Sequence, residues 1–342
     1  MRVGVLSGGG DAPGINAVIR AVVRKGIQNY HYEIVGIKDG WRGLLEGEYA
    51  PLDLKAASGI LPRGGSIIGT SRTNPFKHEG DAQKILQNAK KAGIGAVVAI
   101  GGDDTLSVAL GMSELGLKCV GVPKTIDNDL VGTDYTFGFM TAVAIATEAL
   151  DRLHTTAETH HRVMILEVMG RYTGWIALEA GLAGGADTIL IPEKPFDIKQ
   201  VCKYIKDRQK RGRNFSIIVV AEGAKAKGGT EVVYGESVDE FGHVRLGGIG
   251  YHLGKEIEKR LHIETRVVVL GHLQRGGSPV AFDRILATRF GIGAIDLIHE
   301  KKFGHMIALK GNKLVSVPLK DVIGKRKKVD LELYNVASVF FG

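Results

Sequence analysis

Short apolar runs alternate with longer stretches of helical periodicity along most of this chain. The runs at 2–6, 33–37, 96–100 and 119–122 are unbroken and rich in Val and Ile, which predicts strands buried on both faces. Apolar positions recur at helical spacing over 15–28, 82–92 and 106–115. In the last of these, Leu106, Ala109 and Leu110 share one face, and Thr105 stands where an N-cap belongs. A loop follows to about 138, and then the alternation restarts. Helices are predicted over 142–153, 174–182, 198–209 and 279–298, and strands over 163–168, 188–191, 216–221 and 267–270.

Alternating βα units with β-branched strands imply parallel sheets covered by helices. A chain of 342 residues suggests two domains, since roughly 100–200 residues per domain is usual. The expected fold class is α/β: two Rossmann-like, three-layer α/β/α domains whose mainly parallel sheets face a central cleft. One domain takes 1–138 plus about 275–324. The other takes 139–274 plus about 325–342, with a surface insertion of hairpin character at 225–250, rich in glycine and charge.

Open α/β sheets bind ligands beyond the carboxyl ends of their strands, and this chain concentrates glycine, acid and lysine there. The loop Gly8-Gly9-Gly10-Asp11-Ala12-Pro13-Gly14 lets backbone N–H groups face an anion at a helix start. It is not the dinucleotide fingerprint, because Pro13 stands where the third glycine belongs. Gly101-Gly102-Asp103-Asp104-Thr105 ends the next strand, and Lys124-Thr125-Ile126-Asp127-Asn128-Asp129 ends the one after it. Acids at 127 and 129 suit a metal site, or a base beside a second acid whose charge raises its pKa. Phosphoryl transfer needs such parts: carboxylates for Mg²⁺, amides and a lysine for phosphate, and a carboxylate to accept a hydroxyl proton. Arg72, on a second glycine-rich loop, could stabilise charge on a transferring group. In the second half, Met169-Gly170-Arg171, Glu222 and His272-Leu273-Gln274-Arg275 place cations and an acid at strand ends, where a sugar phosphate could be held. Arg162 and Arg266 stand at the opposite edge and cannot easily reach the same cleft. They are either structural or serve a neighbouring subunit.

Composition narrows the partners. Forty-five Lys and Arg against 37 Asp and Glu leave a formal charge of +8, which favours anionic ligands. The basic clusters at 206–213 and 325–328 lack interleaved aromatics or a recognition-helix pattern, so nucleic acid is not expected. Cys119 and Cys202 give neither a disulfide framework nor a zinc spacing, which fits the cytoplasm. Neither a signal peptide nor a membrane span is expected, because a strand starts at Arg2 and no apolar stretch reaches about 18 residues.

Taken in order, Gly-Gly-Gly-Asp-Ala-Pro-Gly, Pro-Lys-Thr-Ile-Asp-Asn-Asp, Met-Gly-Arg and Gly-His-Leu-Gln-Arg-Gly-Gly resemble the phosphofructokinase family over nearly the whole chain. The resemblance implies phosphorylation of fructose 6-phosphate at its 1-hydroxyl, with Asp127 as base and Mg²⁺ held by Asp103. It implies donor contacts from Gly10 and Arg72. For the sugar phosphate it implies Thr125, Ile126, Asp127, Met169, Gly170, Arg171, Glu222, His272 and Arg275. Arg162 and Arg266 would arrive from a neighbouring subunit of a homo-oligomer, a dimer or a tetramer. Members that use ATP typically carry glycine at the position of Asp104, whereas the pyrophosphate-using members look like this chain at both Asp104 and Lys124. A carboxylate at 104 would repel the α-phosphate of ATP, and Lys124 can pair with the terminal charge of pyrophosphate. The expectation is therefore a reversible, pyrophosphate-dependent enzyme of sugar breakdown and synthesis, with the ATP-dependent kinase as the rival. A non-catalytic sugar-phosphate sensor is a different class, and Asp103, Asp127 and Arg72 together speak against it, since binding alone needs no base.

Overall fold

The protein is described by a computed structural model covering residues 1–238, 240–242 and 244–342, with the side chains of 233–238 and 244–245 outside the description. The chain begins β1 (Arg2–Ser7), α1 (Ile15–Tyr30), β2 (Glu33–Ile37), α2 (Trp41–Glu46), β3 (Tyr49–Pro51), α3 (Asp81–Lys91), β4 (Ile94–Gly101), α4 (Asp103–Glu114) and β5 (Cys119–Pro123). It continues α5 (Phe139–His160), β6 (Val163–Val168), α6 (Trp175–Ala183), β7 (Thr188–Leu190), α7 (Ile198–Lys210), β8 (Ser216–Ala221), β9 (Val233–Val238) and β10 (Val244–Leu246). Then come α8 (Ile249–Leu261), β11 (Thr265–Val269), α9 (Ala281–His299), β12 (His305–Lys310), β13 (Lys313–Pro318), α10 (Leu319–Val322) and α11 (Leu331–Ser338).

Two α/β sheets result. One has seven strands in the order β13-β12-β5-β4-β1-β2-β3, parallel except for the antiparallel edge strands β3 and β13. The other has four strands, β11-β6-β8-β7, all parallel. Each sheet is sandwiched between apolar clusters. Ile15, Val18, Val22, Phe290 and Ile298 lie on one face of the larger sheet, and Ile85, Leu106, Ala109 and Met112 on the other. Ala142, Ala146, Leu150 and Ile176 lie on one face of the smaller sheet, and Val201, Ile205, Leu253 and Ile257 on the other. Burying each such Val, Leu or Ile stabilises the fold by about 1.5–3 kcal/mol. That is why the strands carry almost unbroken apolar runs.

The structure departs from the sequence reading in several places. Helix α4 starts at Asp103, so Thr105 is a buried residue of its first turn and not a cap. Gly102 is extended, at φ −83° and ψ −165°, and serves as the cap. Two acids in the first turn then sit where the helix dipole favours negative charge. Helix α5 is longer than expected, because Gly138 starts it with φ 94° and His161 stops it with φ 56°. The insertion does form an antiparallel ribbon, β9 with β10, but it ends before Ile249, which opens α8 and packs in the core beneath the smaller sheet. Finally, β12 and β13 extend the larger sheet, although neither was expected. The other predicted strands and helices lie within about two residues of where the apolar pattern puts them, whereas α2, β3, α8, α10 and α11 are further elements that it did not predict. Among the described residues, no helix is long and apolar enough to cross a membrane. Cys119 is fully buried, which pushes its thiol up to about 12.

Candidate active site at the carboxyl ends of the two sheets

Strands β1, β4 and β5 are neighbours, so the loops that leave them lie side by side. The first is held against the segment bearing Arg72: the Gly9 amide donates to the Ser71 carbonyl at 2.8 Å, and the Thr70 hydroxyl donates to the Gly9 carbonyl at 2.8 Å. Lys124 leaves β5 with its amide bonded to the Gly101 carbonyl at 2.9 Å, and its ammonium donates to the Gly10 carbonyl. At 2% exposure it is nearly enclosed. Burial, and next the charge of Arg275, push this ammonium down to about 7. An anion arriving beside it would restore the charged form, since an opposite charge favours ionisation.

The turn carrying Asp127 is fixed by its neighbours. The Asp127 amide donates to the Thr125 hydroxyl at 3.1 Å, and the Thr136 hydroxyl donates to the Thr125 carbonyl at 2.7 Å. Asn128, in the left-handed region at φ 52°, accepts the Thr136 amide at 3.1 Å and the Lys327 ammonium at 2.9 Å. The carboxylate of Asp127 is left with its Oδ1 buried and unpartnered among the described residues. A buried polar atom of this kind ordinarily finds a partner, so its idleness points to a group that arrives from outside the chain.

From the smaller sheet, the loops after β6, β8 and β11 bring a second set. Gly170 sits at φ 139°, and a Cβ there would meet the Thr173 carbonyl oxygen at 2.5 Å, so this turn requires glycine. The Arg171 amide donates to Glu222 at 3.0 Å, and the Met169 amide donates to the buried Gln274 side chain at 3.2 Å. Burial, and next the charge of Asp127, push Glu222 up to about 7. The Arg275 guanidinium donates to the Asp11 carbonyl at 3.0 Å, and a Cβ on Gly10 would meet it at 2.7 Å.

One pocket is thereby lined by Gly10, Arg72, Asp103, Asp104, Lys124, Thr125, Asp127, Arg171 and Arg275. Glu222, Met169 and Gly170 do not line the pocket themselves: Glu222 holds the Arg171 amide, and Met169 and Gly170 lead the chain into Arg171. His272 is exposed on a short 3₁₀ turn (Gly271–Arg275) and does not line the pocket. Ile126 is a correction: its side chain is fully buried in the core with Ala12 and Phe139, because its neighbours at 125 and 127 take the cleft-facing positions. Only its main chain is left for a ligand. Arg162 and Arg266 lie at the far edge of the smaller sheet, both on Glu264, and Arg162 Nε is 2.5 Å from its carboxylate. Arg266 is the second residue of β11, because that strand starts at Thr265, two residues earlier than the sequence reading had it.

Three lining residues were given no site role from sequence, Tyr172, Lys325 and Arg326, and Asp129, the expected second acid, lines the pocket with them. Burial, and then the charges of Asp127 and Asp103, push Asp129 up, which is the effect expected of a second acid beside a base. Among the described residues, no three His, Cys, Asp or Glu side chains converge as a metal cage. That is compatible with Mg²⁺, which commonly takes one or two carboxylates together with substrate phosphates and water. Asp103, Asp127 and Asp129 all line the pocket, and one or two such hard oxygen donors suit that ion.

Comparison with known proteins agrees with this architecture. A family model described as Phosphofructokinase matches residues 2–298. A Streptomyces coelicolor protein named pyrophosphate–fructose 6-phosphate 1-phosphotransferase is 58% identical, with both chains covered in full. An Amycolatopsis methanolica protein of the same name is 57% identical, also over the full length of both. A Mycobacterium tuberculosis protein named ATP-dependent 6-phosphofructokinase is 50% identical, again over both chains in full. Among solved structures, Pichia pastoris phosphofructokinase in the T-state superposes with a TM-score of 0.84 at 31% identity, covering 99% of this chain and 36% of that longer one. With a match over most of its length and relatives more than half identical from end to end, the chain belongs to the phosphofructokinase family.

Proposed function

We propose that this enzyme transfers a phosphoryl group from pyrophosphate to the 1-hydroxyl of fructose 6-phosphate, reversibly, in sugar breakdown and synthesis. The observation that carries the chemistry is the idle, buried Oδ1 of Asp127 at the floor of a cleft rich in cations. As the 1-hydroxyl oxygen forms its bond to the near phosphorus, Asp127 takes the hydroxyl proton and the bridging P–O bond breaks. Arg72, Lys124 and the Gly10 loop hold the donor, and their fixed charges offset what builds up on its oxygens. Arg171, Arg275, Met169, Gly170, Glu222 and Thr125 hold the sugar phosphate, cations on phosphate and acid on hydroxyls. Mg²⁺ would be held by Asp103 and would offset the negative charge of the donor oxygens. On this reading the larger sheet's domain carries the donor and the smaller sheet's domain the sugar, with Arg162, Arg266 and His272 completing the sugar site of a neighbouring subunit or a closed cleft.

Pyrophosphate is favoured as donor by Asp104 and Lys124, which both line the pocket, and by the names of the 58% and 57% identical relatives. The ATP-dependent reading is kept alive by the 50% identical relatives. One assay decides between them: turnover of fructose 6-phosphate with pyrophosphate, ATP or polyphosphate as donor. Robust turnover with pyrophosphate and little with ATP is expected, whereas the reverse overturns the donor assignment. Asp104→Gly should lower the discrimination against ATP by about 10- to 100-fold, the worth of one close like-charge contact.

A further inference from the structure

The strap 323–330 leaves α10 of the larger sheet's side, passes the mouth of the pocket, and enters α11, which packs beside the smaller sheet. It is fastened on both sides. The Gly324 amide donates to Asp103 at 3.0 Å, and the Lys327 amide donates to the Asp129 carbonyl at 2.7 Å. On the far side, the Lys327 carbonyl accepts the Trp175 indole N–H at 2.9 Å, and the Val329 amide donates to Glu193 at 3.1 Å. Residues 325 and 326 are therefore clamped between two fixed points, each one residue away.

The four consecutive cations of this strap differ in what they touch. Lys327 is turned inward, and its ammonium donates to Asn128 Oδ1, the Thr133 carbonyl and the Asp134 carbonyl at 2.9, 3.1 and 2.7 Å. That lysine is a structural pin, and its donors are used up. Lys328 is exposed and does not line the pocket. Lys325 and Arg326 do line it. Arg326 lies over the Tyr172 ring at 4.0 Å, and Lys325 donates only to the Asp321 carbonyl at 3.0 Å. Among the described residues, neither is within ion-pair distance of a carboxylate.

Building on the function proposed above, we propose that Lys325 and Arg326 bind the outer phosphate of pyrophosphate, the one that leaves as inorganic phosphate. A bare diphosphate ends in a charged group where a nucleotide continues into its nucleoside, and it needs a cation at that end. The guanidinium is planar and can meet two phosphate oxygens at once, while Tyr172 holds its plane. The strap brings these cations up to Asp103, where the donor's charge is to be concentrated. Both are exposed at the rim of the pocket, whereas Lys124 is buried within it, so that an inner and an outer phosphate would have separate cations.

The test compares wild type with Lys325→Gln/Arg326→Gln, Lys325→Gln alone, Arg326→Lys and Lys328→Gln, all as the full chain and with melting temperatures measured alongside. In the double variant, KM for pyrophosphate, and for inorganic phosphate in the reverse direction, should rise about 10- to 100-fold, as expected for two charge-assisted contacts. The KM for fructose 6-phosphate should stay within about twofold, and Arg326→Lys should retain part of the affinity. Lys325→Gln, which gives up one exposed bond only, should raise the same two constants by a smaller factor without altering the melting temperature. An unchanged KM for both phosphate ligands in the double variant overturns the proposal. So does an equal rise in Lys328→Gln, which would make the effect one of general charge. A wild type inactive with pyrophosphate overturns the donor reading and this proposal together, whereas an active wild type with an unaffected double variant overturns only this one.

Discussion

The two edges of the smaller sheet hold the same kinds of charge under opposite conditions. At the carboxyl ends of its strands, Glu222 is buried beside Asp127 and is pushed up to about 7, and across the cleft Lys124 is buried beside Arg275 and is pushed down to about 7. At the amino ends, Arg162 and Arg266 flank Glu264 at the surface, where water screens every charge. The second arrangement costs little and contributes little, since exposed ion pairs are typically worth about 0–1 kcal/mol. The first costs stability, because burial and like-charge neighbours both oppose ionisation. A fold keeps such a cost where a ligand of opposite charge removes it. The same contrast separates two lysines: half-buried Lys327 has three acceptors and pins a strap, whereas buried Lys124 has the Gly10 carbonyl and faces the pocket.

The sharpest break of this contrast is Asp127→Asn. It keeps the shape and removes the proton acceptor, so kcat should fall roughly 10²–10⁴-fold with the melting temperature maintained. Near-normal turnover in steady-state assays would take Asp127 out of the role. At the opposite edge, Arg162→Ala should leave stability within about 1 kcal/mol of wild type, as befits an exposed pair. If the edge completes a neighbour's site, the same variant raises KM for fructose 6-phosphate about tenfold, with kcat changed less. An unaltered KM, together with a monomeric mass in sedimentation, would show this edge to be ordinary surface.

The smallest effect expected is one of pH on stability. Burial, and next the charge of Asp127, push Glu222 up to about 7 from the ordinary glutamate value of 4.5. Its neutral form is thus favoured by folding, and the stability this confers is present in full below about 4.5 and lost as pH rises through about 7. Glu222→Gln should therefore melt a few degrees above wild type at pH 8, and the gap should close towards pH 5. A gap that is constant with pH would mean that Glu222 carries no such penalty.

Much of this was legible in the chain. Unbroken Val and Ile runs ending in glycine and acid gave the strands and the positions of Gly10, Asp103, Lys124 and Asp127, because buried parallel strands leave a strong local imprint. The hairpin of β12 and β13 was missed, although Gly311-Asn312 between two β-rich runs is a turn signal that could have found it. Ile126 was placed in the site with its neighbours because a motif is read contiguously, whereas alternation turns its side chain into the core. The basic cluster at 325–328 stood out in the chain but was given no place in the site, because a run of lysine and arginine looks solvated until the chain is seen to fold back across the cleft.

Local pattern by itself determined which segments become strands and helices, and that acids, glycines and one lysine stand at strand ends. These follow from periodicity and backbone sterics, which act over a few residues. The tertiary structure decided that loops from Gly9 to Arg326 share one pocket, and that Lys325 and Arg326 join it while Lys327 is tied down. Those outcomes depend on strand order and on how two sheets close over a cleft, and desolvation acts on whatever charges that closure brings together.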